Sequence, residues 1–224
     1  MAQNSNQQVS GRVAVEAAEW RSSLRFLHAF CGVFARAYHR VEVVQPVRLP
    51  ASGAGILVCN HISALDPLLL QAVIKRPIVW MMAREYYDLP LLGRLFKHIE
   101  AIPVDRTGRD SAAMRSALRA LHRGRLLGLF PEGKIETSRQ LLAFQSGAAL
   151  LAIRSACPVY PFYLEGTQRG HGMATAVVFP QEAVLRCGPA LNFASGFSAR
   201  SDLDAANAQI EAAVRALIPA GAGA

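Results

Sequence analysis

The sequence predicts an α/β fold: a single domain with a largely parallel central sheet flanked by helices, preceded by an N-terminal amphipathic helix. Three observations carry this expectation. Continuous apolar runs such as Ile56–Cys59 and Leu126–Phe130 read as strands buried on both faces. They alternate along the chain with segments of helical period, the pattern that builds βαβ units. The 224 residues, 52% hydrophobic and 18% charged, suffice for one substantial core and exclude a disordered chain.

The elements follow in order. Residues 12–40 are expected to be helical, because Trp20, Leu24, Leu27, Cys31, Phe34 and Tyr38 recur at spacings of four and three and share a face. Arg21, Arg25, Arg36 and Arg40 are available to a second face, as in a helix lying in a membrane interface. The plainer alternative is a helix packed on the protein's own core. Val41–Val44 and Ile56–Cys59 read as strands, Pro67–Ile74 as a helix, Ile78–Met82 as a strand and 91–98 as a helix. Ala101–Val104 reads as a short strand, Ser111–Arg123 as a helix and Leu126–Phe130 as a strand. Ser146–Ser155 is expected to be a helix, followed by strands at Val159–Leu164, Thr175–Phe179 and Ala183–Cys187. Leu203, Ile210, Val214 and Leu217 set a final helix near 202–217. The expected boundaries are 1–40 for a membrane-associating helix, 41–218 for the domain and 219–224 for a loose tail.

The charge balance is 24 Lys+Arg against 16 Asp+Glu, a net +8, and all of the basic residues except Lys75, Lys97 and Lys134 are arginine. Such a surface attracts anions: nucleic acid, acidic headgroups or phosphorylated substrates. No base-stacking motif accompanies it, so nucleic acid is not an expected partner. Cys31, Cys59, Cys157 and Cys187 lie far apart with no paired spacing, which fits neither a zinc ribbon nor a disulfide framework. The opening MAQNSNQQ lacks a basic leader region. The apolar run Phe26–Ala35 is only about ten residues long, where a membrane span needs about 20.

Polar residues cluster directly after three predicted strands: Asn60-His61 after ILVC, Asp105-Arg106 after AIPV, and Pro131-Glu132-Gly133-Lys134 after LLGLF. In open α/β sheets ligands bind beyond the carboxyl ends of strands, so these residues would share one rim. Gly128 to Ile135 approaches a phosphate-binding loop, but Pro131 removes a donor, Glu132 repels phosphate and Ile135 cannot ligate a metal. Gly53-Ala54-Gly55 begins a dinucleotide fingerprint whose third glycine position is Val58.

His61 and Asp66 stand five residues apart. On a helix they would diverge by ~140° in azimuth, so they meet only if the stretch is a loop. Pro67 disfavours helical backbone at Asp66, which extends the loop to that point. A histidine oriented by a carboxylate is a general base, and an imidazole ordinarily titrates near pH ~6.5, suited to work at neutrality. Alternatively, Asp66 before Pro67 is a helix cap and His61 an ordinary loop residue. A metal site lacks an evident third ligand.

Asn60-His61-x4-Asp66 resembles the first motif of the glycerolipid acyltransferases of the lysophosphatidic acid acyltransferase type. Ile102-Pro103-Val104-Asp105-Arg106, Phe130-Pro131-Glu132-Gly133 and Val159-Tyr160-Pro161-Phe162 resemble the second, third and fourth, in the same order. The resemblance implies acyl transfer from acyl-CoA or acyl carrier protein to the hydroxyl of a lysophospholipid, most simply 1-acylglycerol 3-phosphate. It implies no cofactor and no metal. By that analogy His61 takes the hydroxyl proton and Asp66 orients His61. Asn60, Arg106, Glu132, Gly133 and Lys134 are the expected substrate-binding residues, with Arg106 on the phosphate. The resemblance also implies a peripheral protein on the cytoplasmic face of a membrane surface. Another hydroxylated lipid acceptor, or a non-catalytic lipid-binding module of the same fold, are the alternatives. Three positions depart from the family pattern. The third motif continues as Lys134-Ile135-Glu136 instead of a basic or Thr residue followed by Arg and Ser. Gln145 and Ser146 stand where basic residues are frequent. Glu100 replaces a frequent glycine and is expected to bring an extra acid near the site.

Overall fold

The computed structural model describes residues 22–35, 40–90, 93–106, 110–136, 140–167, 180, 182–193 and 200–220. Helix α1 spans Ser22–Val33, followed by strands β1 (Val41–Val43) and β2 (Gly55–Cys59). Then come α2 (Asp66–Val73), β3 (Ile78–Ala83), α3 (Arg84–Tyr87), α4 (Gly93–His98) and β4 (Ile102–Val104). The chain continues through α5 (Ser111–His122), β5 (Leu126–Leu129), α6 (Gly147–Ser155), β6 (Val159–Glu165), β7 (Ala183–Cys187) and α7 (Arg200–Arg215).

The seven strands form one sheet in the order β1-β7-β6-β2-β5-β3-β4. β6, β2, β5, β3 and β4 run parallel, while β7 pairs antiparallel with β6 and carries β1 parallel to itself at the edge. Every residue of β2 is buried, which explains its unbroken apolar sequence. Its side chains alternate between two cores. Ile56 and Val58 pack with Ala117 of α5, Leu151 of α6 and Ile210 of α7. Leu57 and Cys59 pack on the other face with Cys31 of α1 and Leu69 and Leu70 of α2. Each fully buried Leu or Ile contributes roughly 1.5–3 kcal/mol.

This arrangement positions a crevice. β2 leads into α2 on one face, whereas its neighbour β5 leads into α6 on the opposite face. Adjacent strands whose connections leave on opposite faces open a cleft at their carboxyl ends. His61 follows β2 and Glu132 follows β5.

Of the expected N-terminal helix, residues 12–21 and 36–39 lie outside the described residues, and Arg40 stands outside the helix with φ +40°. Where the segment is described, the core-packed alternative fits two of the named residues: Cys31 is buried, and Phe34, just beyond α1, packs against the core beside α2. The helix exposes Phe30 (57%) and Val33 (66%). Among the described residues no helix is long and apolar enough to cross a membrane. The strand expected at Thr175–Phe179 also lies outside the described residues. Helix α3 was not expected, and β5 ends one residue before Phe130.

Glu100 differs too. Its φ of +59° lies in the left-handed region, which is why glycine suits this turn between α4 and β4. Its carboxylate lies 3.3 Å from Arg125, which precedes β5, at the end of the sheet opposite the crevice. The extra acid therefore does not reach the site.

Asp110 caps α5, accepting from Ala113 N at 2.8 Å, and its other oxygen accepts from Asp105 N at 2.9 Å. These two donors, Ala113 first, hold its carboxyl below the ordinary carboxylate range. A depressed folded-state pKa stabilises above the unfolded value and is lost as pH falls through the folded one. Asp110→Ala is expected to cost about 1 kcal/mol at neutral pH. Thermal melts of the two proteins should converge as the pH drops below the carboxylate range.

Candidate active site

The site is built on the loop between β2 and α2. Residues 60–63 are irregular and a turn at 64–65 leads into α2. This brings the side chains of His61 and Asp66 together, with His61 Nδ1 donating to Asp66 Oδ2 at 2.9 Å. The same oxygen accepts the backbone N–H groups of Ile62 and Ser63, each at 2.8 Å. The capping alternative does not describe Asp66. It is the first residue of α2, the cap position is Leu65 without a side-chain bond, and the carboxylate serves the loop before the helix. Asp66 is fully buried, and its second oxygen accepts from the hydroxyl of Thr167 at 3.0 Å. Because the carboxylate accepts the hydrogen bond of Nδ1–H, the lone pair of the neutral imidazole lies on Nε2. His61 retains 16% side-chain exposure.

The backbone of His61 is fixed from both sides by the loop after β5. Its N–H donates to Glu132 Oε1 at 2.8 Å, and its carbonyl accepts from Glu136 N at 2.8 Å. Glu132 Oε2 accepts from Leu142 N at 3.0 Å. Glu132 is 5% exposed, and burial raises its pKa against the opposing pull of the Leu142 and His61 N–H groups and the His61 charge. A raised carboxyl stabilises the fold below its unfolded value, and that contribution is lost as pH rises through the folded one. The two oxygens of Glu132, each accepting a backbone N–H, tie the 61 loop to the 142 segment.

Gly133 has φ +72°, a left-handed backbone that calls for glycine, while a Cβ there would meet only the movable end of the exposed Gln145 side chain. Its carbonyl accepts from Arg106 at 3.1 Å. The other terminal nitrogen of Arg106 lies 3.5 Å from Glu85 of α3. The ends of β3, β4 and β5 therefore meet around one guanidinium. Lys134 follows on the turn and is exposed.

Asn60 takes a different place from the one expected. It is 3% exposed; its amide donates to Leu164 O at 2.8 Å and accepts from Leu164 N at 2.7 Å. The side chain thus extends the β2–β6 pairing where the backbone leaves the sheet, and a substrate contact is replaced by a structural one.

Sequence reasoning missed Thr167 and two aromatic rings. Thr167 is 101 residues from Asp66, and nothing local marks it beyond its place just after β6. Phe130 stacks on the His61 imidazole with centroids 3.9 Å apart and planes 12° apart, and Trp80 stacks on Phe130 at 5.2 Å and 6°. A signal existed for these: Phe130 follows Gly128 by two, and Gly128 pairs with Trp80, so all three share one sheet face.

A buried carboxylate, an oriented imidazole and an arginine thus stand together at one end of the largely parallel sheet. The chain belongs to the Acyltransferase family, whose pattern it matches over residues 40–165, more than half its length. It is 27% identical over 131 residues to a 1-acyl-sn-glycerol-3-phosphate acyltransferase of Bacillus subtilis, covering 58% of this chain and 65% of that one. It is 30% identical over 140 residues to the enzyme of that description from Limnanthes douglasii, covering 61% and 50%. The chain thus spans half to just under two thirds of these relatives' lengths. The crystal structure of the 1-acyl-sn-glycerophosphate acyltransferase PlsC from Thermotoga maritima has the same fold, with a TM-score of 0.67 and 21% identity. That likeness covers 86% of this chain and 78% of that one.

Thr167→Val is expected to leave one buried carboxylate oxygen without its hydroxyl donor and to destabilise the protein by about 1–3 kcal/mol. Thr167→Ser should retain most of that stability. Denaturant titrations of the three proteins measure the difference.

Proposed function

We propose that this protein is an O-acyltransferase that moves a fatty acyl chain from a thioester donor, acyl-CoA or acyl carrier protein, to the hydroxyl of a lysophospholipid, 1-acylglycerol 3-phosphate above others. The observation that carries this reading is the His61–Asp66 bond at 2.9 Å with Nε2 left as the proton-accepting nitrogen. In this mechanism Nε2 takes the proton of the acceptor hydroxyl as its oxygen attacks the thioester carbonyl carbon. The carbon–oxygen bond forms, the tetrahedral intermediate collapses, and the carbon–sulfur bond breaks. The imidazolium returns its proton to the departing thiolate. A thioester is activated enough for direct attack, so no covalent enzyme intermediate is needed. Asp66 stabilises the imidazolium without taking its proton. A positioned base of this kind supplies roughly 10²–10⁴ in rate.

Arg106 is the proposed phosphate partner, since a guanidinium matches a phosphate with two parallel hydrogen bonds. Glu132 and Gly133 support the site by holding the His61 backbone and the Arg106 side chain, and Lys134 adds a point charge at its rim. Asn60 acts through the sheet alone.

The test is release of free thiol from acyl-CoA with a panel of lysolipids. Wild type should exceed His61→Ala by at least about 100-fold, and equal rates would refute the enzyme reading. Asp66→Asn should lose a comparable share of kcat. Arg106→Ala should raise KM for a phosphorylated acceptor about tenfold or more, with little change for a neutral one.

The same reading places the protein on a membrane surface, supported by exposed Phe30 and Val33 on α1. Because Cys31 and Ala35 of that segment are core residues, removing the helix would damage the fold. Phe30→Ser with Val33→Ser is the cleaner probe. It should weaken sedimentation with anionic phospholipid vesicles by about tenfold and leave the melting temperature within about 2 °C of wild type.

A further inference from the structure

A hydrogen bond fixes a ring incompletely. The Nδ1–Asp66 bond sets where one corner of the imidazole sits, yet small changes in the side-chain torsions can still tilt the ring plane about that corner. Such a tilt displaces Nε2. A flat surface against the ring face removes this freedom, and Phe130 supplies one, near van der Waals contact at 3.9 Å between centroids and 12° from parallel. Any tilt of the imidazole would drive its edge into the phenyl ring.

Phe130 is itself backed. Trp80 lies behind it at 5.2 Å and 6°, and Trp80 is 7% exposed, packed in the core on the α2 face of the sheet. The indole fits there because residue 128 is glycine. A Cβ at Gly128 would lie 2.5 and 2.6 Å from the Trp80 ring and 2.7 Å from Ile78. Three rings therefore form a column from the core to the imidazole, seated over a glycine in β5.

We propose that Phe130, braced by Trp80, is a positioning residue for acyl transfer: it sets the plane of the His61 ring so that Nε2 is aimed into the crevice. This rests on the acyl-transfer reading of His61. The ring does a second thing. The face of an aromatic ring carries negative charge density and attracts a cation, so the stack is stronger once His61 has taken the proton than before. An interaction that grows as the imidazolium forms raises kcat in preference to binding.

The experiment uses the full chain with acyl-CoA and a lysophospholipid acceptor. Phe130→Leu should lower kcat about 10- to 100-fold, the loss expected when a reacting group is misplaced by a fraction of an ångström to an ångström. KM for both substrates should stay within about threefold of wild type. Phe130→Tyr should restore most of kcat, because the ring and not the volume matters. Trp80→Leu should show a smaller loss of kcat, which Trp80→Phe repairs. Independently of activity, the His61 ring protons, assigned by comparison with His61→Ala, should resonate upfield from the Phe130 ring current and move downfield in Phe130→Leu.

Unchanged kcat in Phe130→Leu, a loss confined to KM for the acyl donor, or equal impairment in Phe130→Tyr would each overturn the proposal. So would His61 ring protons that do not shift. If Phe130→Leu fails to fold, the Trp80 pair and the ring-proton shifts of wild type and Phe130→Tyr decide the matter. Were wild type no faster than His61→Ala, the acyl-transfer reading would fail while the resonance measurement still judged the stack.

Discussion

One carboxylate oxygen organises the site. Asp66 Oδ2 receives three donors, from Ile62 N, Ser63 N and His61 Nδ1, while Oδ1 receives the Thr167 hydroxyl. With Asp66 fully buried, losing the carboxylate would strip Ile62 N–H and Ser63 N–H of their acceptor, and losing the Thr167 hydroxyl would strip Oδ1 of its donor, in a medium that punishes both. The loop after β2 is therefore held in a single shape by the carboxylate it encloses. The histidine is oriented because the loop is folded, and the loop is folded because the carboxylate is buried. Structural and chemical demands on Asp66 are one demand.

The fold converts this local constraint into a site shared by several strands. β2 brings His61, β5 brings Phe130, Glu132 and Gly133, β4 brings Arg106 and β6 brings Thr167. Their meeting follows from the switch in connection direction between β2 and β5. Glu132 bridges those two strand ends, bonding to the His61 backbone and to Leu142. The neighbouring segment is held in turn by α7: Glu211 accepts from Phe144 N at 3.1 Å, and Asn207 donates to Phe144 O at 2.8 Å. A helix far along the chain thus braces the loop that holds the His61 backbone.

Much of this was legible in the sequence, and the reason differs from case to case. The buried strands announced themselves as unbroken apolar runs, and the five-residue spacing of His61 and Asp66 before Pro67 admitted a pair only in a loop. Thr167 was not legible, because its partner is 101 residues away and only the packed sheet brings them together. Asn60 was misread because a polar residue after a strand suggests a ligand, while its real partner is the backbone of β6. The α1 face was left open between core and membrane because periodicity tells which residues share a side and not what that side meets. Glu100 illustrates a third gap: its backbone conformation accounts for the glycine seen in the family pattern, and the direction of its carboxylate follows from the turn.

The departures from the family pattern then acquire a physical sense. Glu136 reaches His61 through its backbone N–H, a contact any residue but proline can make at that position. Arg106 has five N–H donors, of which one is held by Gly133 and another lies near an exposed Glu85. An exposed ion pair of this kind is worth at most about 1 kcal/mol. On the proposed reading, a phosphate bearing up to two charges outcompetes it by forming two charge-assisted bonds at once. On the proposed reading, Glu85 keeps the guanidinium extended toward the rim between turnovers and yields it to a dianion more readily than to a neutral headgroup. Glu100, paired with Arg125 at the far end of the sheet, does not weigh on Arg106, and the acid within reach of that guanidinium is Glu85 of α3, which the sequence did not mark.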